Sequence, residues 1–237
     1  MALVLLVRKG VTIRLSISTL HSLWGSSGTL VGWSVPRSQE SIRQTMHDYL
    51  PPKWLTKVDE RWTLFLDRDG VINHRLIDDY VKVPSEFSFL PGVLDSIAAL
   101  TAWFDRIIVI TNQQGVGKGL MTHDQLDSLH DQMCLEISEA GGHIDQIFSC
   151  TDLATEYNNC RKPNPSMALQ AVGMFPEIKL YKSIMVGDMP SDILFGQATE
   201  MRTVFCGNPL VLHEVEPDLK VKDLPAFTTL LQEAMFL

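Results

Sequence analysis

Two aspartates one residue apart, Asp67 and Asp69, follow the apolar run Thr63-Leu64-Phe65-Leu66 and lead into Gly70-Val71. Carboxylates at the lip of a buried strand are costly to desolvate, so a chain that keeps two there has a use for them. A carboxylate facing a bound cation can attack phosphorus, and a second one two positions on can protonate the leaving oxygen. On this spacing alone, a strand ending in an acidic turn explains the pair equally well, because Asp and Gly both favour turns. The other strand ends decide between the two.

Ile107-Ile108-Val109-Ile110 runs into Thr111-Asn112-Gln113, and Ile184-Met185-Val186 runs into Gly187-Asp188, with Asp192 beyond it. Arg161-Lys162-Pro163 stands before Asn164-Pro165, a cap residue and a proline suited to a helix start. Every apolar run therefore ends in groups that suit phosphate chemistry. Two or three carboxylates can hold a hard divalent ion such as Mg²⁺ through oxygen. A hydroxyl, side-chain amides and a lysine can neutralise phosphoryl oxygens as charge redistributes during transfer.

Short, wholly apolar strands are those of a parallel sheet covered on both faces. Ile144 to Phe148 and Thr203 to Phe205 are weaker strand candidates. Between the strands lie helical patterns. The clearest spans Thr122 to Ala140, with a Thr122/Gln125 capping box, a stripe of Leu126, Leu129, Met133 and Ile137, and a stop at Gly141-Gly142. Another follows Pro91-Gly92, with Val93, Leu94, Ile97 and Leu100 as its stripe. The alternation predicts an α/β fold with a doubly wound parallel sheet, whose ligand site lies beyond the carboxyl ends of the strands. The alternation occupies residues 61–237. Residues 1–60 read as an extension without assigned chemistry: Val11 to Ile17 alternates like a strand, Trp24 to Trp33 has no period, and Ser38 to Leu50 suits a helix stopped by Pro51-Pro52.

With 237 residues, 45% of them hydrophobic, the chain can bury a full core. A net charge of -8 and a pI near 5.3 argue against a nucleic-acid or anionic-membrane surface. The four cysteines are too few for a disulfide scaffold, and the apolar start from Ala2 to Val7 is too short for a bilayer span, so a cytoplasmic protein is expected.

The ordered set DxDGV at Asp67, the apolar run into Thr111-Asn112, Lys162 before a helix, and GDxxSD at Gly187 resembles the haloacid dehalogenase (HAD) superfamily. The resemblance covers roughly residues 62–207. It implies a Rossmann-like HAD fold and a Mg²⁺-dependent phosphatase. Asp67 would be the nucleophile that forms an aspartyl-phosphate, and Asp69 the general acid and then base. Thr111 would bind phosphoryl oxygens, Lys162 would steady nucleophile and phosphate, and Asp188 would complete a Mg²⁺ site with Asp67 and the Asp69 carbonyl. Asp192 would stand behind the metal ligands.

Asp67 to Asn73, Asp79-Tyr80-Val81, Phe89 to Gly92, Thr111 to Gly115 and Cys160 to Pro163 are similar to the nearly capless histidinol-phosphate and heptose bisphosphate phosphatases. The segment between the first strand and the Pro91-Gly92 helix is too short for more than a minimal cap. Asn73, Tyr80 and the Gly117-Lys118-Gly119 loop favour the heptose branch, which implies removal of the 7-phosphate of D-glycero-D-manno-heptose 1,7-bisphosphate. Histidinol phosphate hydrolysis, or phosphotransfer on the same fold, is the alternative. Asn73, Tyr80, Asn112, Gln113, Lys118 and Arg161 are the expected substrate-binding residues, with a small phosphorylated molecule as the only partner and a monomeric state. Relatives carry a CxH…CxC zinc loop where this chain has Cys150, Asp152, Asn158 and Cys160. Two of four ligand positions are changed, so no structural zinc is expected, with Cys150, Asp152 and Cys160 the residual candidates.

Overall fold

The computed structural model describes residues 51–77 and 79–235, together with four short strands ahead of them. The chain divides into two units, Met1–Leu50 and Pro51–Leu237. In the first unit, β1 (Leu3–Arg8) pairs antiparallel with β2 (Val11–Ser16), and β3 (Thr29–Leu30) with β4 (Trp33–Ser34). The alternation read at Val11 to Ile17 is thus a strand, and the helix expected over 38–50 lies outside the described residues.

The second unit begins ahead of Arg61, where the strand–helix alternation starts, because Leu55, Val58 and Trp62 are buried in its core. Its sheet contains β5 (Thr63–Leu66), β6 (Arg106–Asn112), β7 (Gln146–Cys150), β8 (Ser183–Gly187), β9 (Arg202–Cys206) and β10 (Leu219–Val221). The order is β10-β9-β8-β5-β6-β7, and every pairing is parallel. Its helices are α1 (Val93–Thr101), α2 (Gln114–Gly117), α3 (His123–Glu139), α4 (Ser166–Met174), α5 (Pro190–Ala198) and α6 (Leu224–Met235).

Side chains alternate across each strand, so the apolar runs split into two cores. Leu64, Leu66, Ile107, Val109, Ile184 and Val186 join α1, α3 and α6 on one face. Phe65, Ile108, Ile110 and Met185 join Met167, Ala168 and Ala171 of α4 and Phe195 of α5 on the other. This is the doubly wound α/β arrangement the apolar runs require. The capping box at Thr122 is present in both directions, and α3 starts at the next residue.

Two departures have local causes. β7 starts at Gln146 rather than Ile144, because the Asp145 carboxylate accepts the Ile107 N–H at 2.8 Å in place of a strand carbonyl. α4 starts at Ser166, with the Asn164 side chain accepting the Ser166 N–H at 2.9 Å. Strand β10 and helix α6 add to the elements expected from sequence, since β10 is three residues, Leu219-Lys220-Val221, too short to show a period. Between β5 and α1 the described residues form loops, two isolated β-bridges at Asn73 and a 3-10 turn at Pro84–Glu86, and among them no cap domain stands at the carboxyl edge of the sheet. Among the described residues no helix is long and apolar enough to cross a membrane.

Replacing fully buried Leu55 by Ala should destabilise the chain by about 2–5 kcal/mol, if residues 51–60 belong to this core. Urea denaturation of the full chain checks this, and an unchanged midpoint would show that the segment is peripheral.

Candidate active site

The central strand β5 lies between β8 and β6, and the chain leaving it reaches Asp67, whose N–H donates to the Val186 carbonyl at 2.9 Å. The ladder thereby runs one residue past the strand and fixes the Asp67 backbone. Lys162, from the loop before α4, reaches under the same strand ends. Its ammonium stands 2.8 Å from Asp67 Oδ1 and 2.7 Å from Asp192 Oδ1, and donates to the Ile110 carbonyl at 2.8 Å. These three contacts are made in a position only 5% exposed. Asp192 is held in turn by the Met189 N–H at the start of α5, 2.9 Å from its Oδ2. Gly187 is required beneath it, since a Cβ there would run into the Asp192 side chain.

Asp69 sits in a different cage. Arg68, completely buried, donates Nη2–H to both Asp69 oxygens at 3.0 and 2.9 Å. Asn73 Nδ2 donates to Oδ1 at 2.9 Å and Gln113 Nε2 to Oδ2 at 2.8 Å. Burial works against the carboxylate, but the Arg68 charge and these hydrogen bonds outweigh it and hold its pKa below the usual value. Arg68 Nη1 donates to His130 Nε2 at 3.1 Å. Burial, reinforced by the Arg68 charge, lowers the His130 pKa to about 3, so the ring is a neutral acceptor.

Asn73 and Gln113, expected as substrate contacts, are fully buried, with their amide protons spent on Asp69, Thr111 and the His74 carbonyl. Their amides brace Asp69, and their oxygens find no hydrogen-bond partner among the described residues. Asn112 clasps the Lys162 backbone, accepting its N–H at 2.9 Å and donating to its carbonyl at 3.3 Å. Thr111, one residue before the end of β6, accepts from Gln113 through its hydroxyl at 2.9 Å, which leaves its own proton to donate. Tyr80 and Lys118 are paired with each other, Nζ donating to Oη at 3.2 Å. Arg161 Nη1 is shielded from solvent and finds no hydrogen-bond partner among the described residues.

Oxygens of Asp67, Asp188 and Asp192 lie within 4.8 Å of one another. Gly70, at φ 95°, turns the chain beside Asp188, and a Cβ on it would collide with that carboxylate. Arg75 Nη2 donates to the Asp69 carbonyl at 2.9 Å and to Asp188 Oδ1 at 2.6 Å, and lies 3.9 Å from Asp67 Oδ2. A positive group thus already finds the Asp69 carbonyl and both carboxylates converging on it. Such an all-oxygen set suits a hard divalent cation. Burial raises the Asp188 pKa to about 8, with the Asp67 charge adding to it and Arg75 opposing it. Burial also raises Asp67 to about 6, against the pull of Lys162.

The altered cysteine loop is closed covalently. Cys150 and Cys160 form a disulfide, and Asp152 Oδ2 accepts the Cys160 N–H at 2.8 Å. The cysteines do not form a scaffold, but this pair, which the sequence by itself leaves unpaired, is joined because the loop returns to the end of β7. Both thiols are used in that bond, although the same residues could also gather round an ion.

Sequence reasoning missed three residues of this site: Arg68, His130 and Arg75. A basic residue between two motif aspartates, in an otherwise apolar stretch, is a signal for Arg68. His130 and Arg75 carry none, because their partners are distant in sequence or lie across a loop.

A HAD-hydrolase-like family model matches residues 159–223. A D-glycero-alpha-D-manno-heptose-1,7-bisphosphate 7-phosphatase of Mycobacterium tuberculosis is 39% identical over 137 residues, 58% of this chain and 72% of that protein. The chain belongs to the HAD-like phosphatases. It is accordingly a phosphoric monoester hydrolase of that fold. A D-glycero-beta-D-manno-heptose-1,7-bisphosphate 7-phosphatase of Neisseria meningitidis is 36% identical over 130 residues, covering 55% of this chain and 68% of that one. The crystal structure of D,D-heptose 1,7-bisphosphate phosphatase from B. bronchiseptica, complexed with magnesium and phosphate, superposes with a TM-score of 0.67 at 33% identity, covering 73% of this chain and 99% of that one.

Because the Asp67 and Asp188 pKa values are raised in the fold, their stabilising contribution is complete below the unfolded value of 3.8 and is lost as pH rises through about 6 and about 8. In a chelator the melting temperature should therefore fall between about pH 5 and pH 9. A flat or rising profile would contradict the raised pKa values of the two buried carboxylates.

Proposed function

We propose that this phosphatase hydrolyses the 7-phosphate of a D-glycero-D-manno-heptose 1,7-bisphosphate, with Asp67 as nucleophile. The observation that carries the chemistry is the opposite treatment of two neighbouring carboxylates. Asp67 faces the convergent cation point with Lys162 against its other oxygen, while Asp69 is turned into a cage of donors. Two titratable groups with opposed environments are assigned to attacker and proton carrier.

Asp67 attacks phosphorus in line with the leaving sugar oxygen, forming a phospho-aspartate as the ester bond breaks. Lys162 screens the repulsion between the carboxylate and the phosphoryl oxygens, and the Thr111 hydroxyl proton supplies one further donor. Asp69 gives a proton to the leaving oxygen, then removes one from the water that attacks the phospho-aspartate. Its lowered pKa keeps it in the ionised form from which that second step starts. Asp67, Asp188 and the Asp69 carbonyl would hold Mg²⁺, which supplies charge neutralisation for the phosphoryl group when bound.

For the substrate, the support is the two relatives and the crystal structure named for heptose 1,7-bisphosphates, together with the mouth of the site. Among the described residues no cap domain follows β5, and Lys118 and the unpartnered Arg161 Nη1 provide cationic groups, with the Tyr80 hydroxyl beside Lys118, for a second phosphate. A histidinol phosphate substrate would leave them without a partner.

Asp67→Asn should reduce kcat by at least about a thousandfold with substrate binding retained, as loss of a nucleophile does. Steady-state phosphate release checks it, and retained turnover would remove Asp67 from that role. Lys118→Ala should raise KM for the bisphosphate by about three- to tenfold while leaving kcat near wild type, as loss of one charge-assisted contact does. Faster hydrolysis of histidinol phosphate than of the bisphosphate in a side-by-side assay would replace the substrate assignment.

A further inference from the structure

Arg75 belongs to none of the motifs, yet it contacts three separate residues at the centre of the site. Its Nη2 lies against the Asp69 carbonyl at 2.9 Å, Asp188 Oδ1 at 2.6 Å and Asp67 Oδ2 at 3.9 Å. These are the oxygens from three separate residues assigned above to the divalent ion. A guanidinium nitrogen and a metal ion cannot share them, because both need the same lone pairs and repel each other.

We infer that Arg75 is an internal counter-ion that holds the divalent-cation position in the metal-free protein and must withdraw before the ion binds. The inference rests on Asp67, the Asp69 carbonyl and Asp188 being the metal set. The Arg75 side chain is 36% exposed, whereas Asp67 is 7% and Asp188 16% exposed, so the guanidinium can swing to solvent without moving the carboxylates. Docked, it relieves the repulsion between Asp67 and Asp188 and keeps the site ordered. It also lowers the fraction of molecules competent for the ion, and the apparent dissociation constant rises by the inverse of that fraction. A partly exposed ion pair shifts such an equilibrium by up to about tenfold. Arg75 therefore raises the ion concentration needed for half-saturation.

Titration calorimetry of Mg²⁺ into the metal-free full chain tests this, using wild type, Arg75→Gln, Arg75→Ala and Asp188→Asn. Both Arg75 variants should bind Mg²⁺ about three- to tenfold more tightly than wild type, and Asp188→Asn should lose binding. In chelator the Arg75 variants should also melt below wild type, with the gap closing at saturating Mg²⁺. Arg75 variants that bind Mg²⁺ with wild-type or weaker affinity, or that match wild-type melting in chelator, overturn the counter-ion role while leaving the metal set standing. Absent binding in wild type, or unimpaired binding in Asp188→Asn, overturns the metal set itself and the inference with it.

Discussion

Lys162 is the interaction on which the rest of the site depends. Its buried ammonium lies between Asp67 and Asp192, so three ionisable groups share a volume almost closed to water. Burial opposes the Lys162 charge, but the two carboxylates overcome it and raise its pKa. Such an arrangement is held only if every partner stays in place, because removing one leaves a buried charge uncompensated at a cost of about 3–5 kcal/mol. The three residues come from the end of β5, the loop before α4 and the first turn of α5. The order of the sheet, with β5 between β6 and β8, is what lets those elements converge.

The same constraint explains why two aspartates one residue apart behave differently. Asp67 continues the β5 ladder and meets Lys162 and the cation point, whereas the Asp69 side chain meets Arg68, Asn73 and Gln113. Burial raises one pKa, and a donor cage built on Arg68 lowers the other. Arg68 can serve there because neutral His130 accepts its second nitrogen, so a fully buried guanidinium is not left to face apolar side chains alone. Asn73 and Gln113 complete the cage from either side.

The loop that delivers Lys162 is fastened at several points. Asn112 clasps its backbone, Gln113 N–H donates to the Cys150 carbonyl at 2.7 Å, and the Cys150–Cys160 bond closes the loop behind it. The position of the lysine is thus tied to the end of β6 as directly as Asp67 is tied to β8. A changed ligand pattern in this loop is compatible with an intact site for that reason.

The doubly wound sheet, the strands β5, β6 and β8, the capped helix α3 and the residues Asp67, Asp69, Thr111, Lys162 and Asp188 were all legible in the sequence. Each is a local signal: apolar runs of strand length, a capping pair, and polar residues at the ends of those runs. β10 was not, because three residues carry no period, and the start of the core at Leu55 was not, because burial there comes from contact with distant elements. Only the tertiary structure decided what the amides do. Asn73 and Gln113 look like ligand residues by position, but packing closes them from solvent and aims them at Asp69. It also brought Arg68 to His130 and Arg75 to Asp188, since side chains distant in sequence, or facing across a loop, meet only through the path of the folded backbone. The amino-acid order set which chemical groups stand at the strand ends; the fold set which of them face the substrate and which face one another.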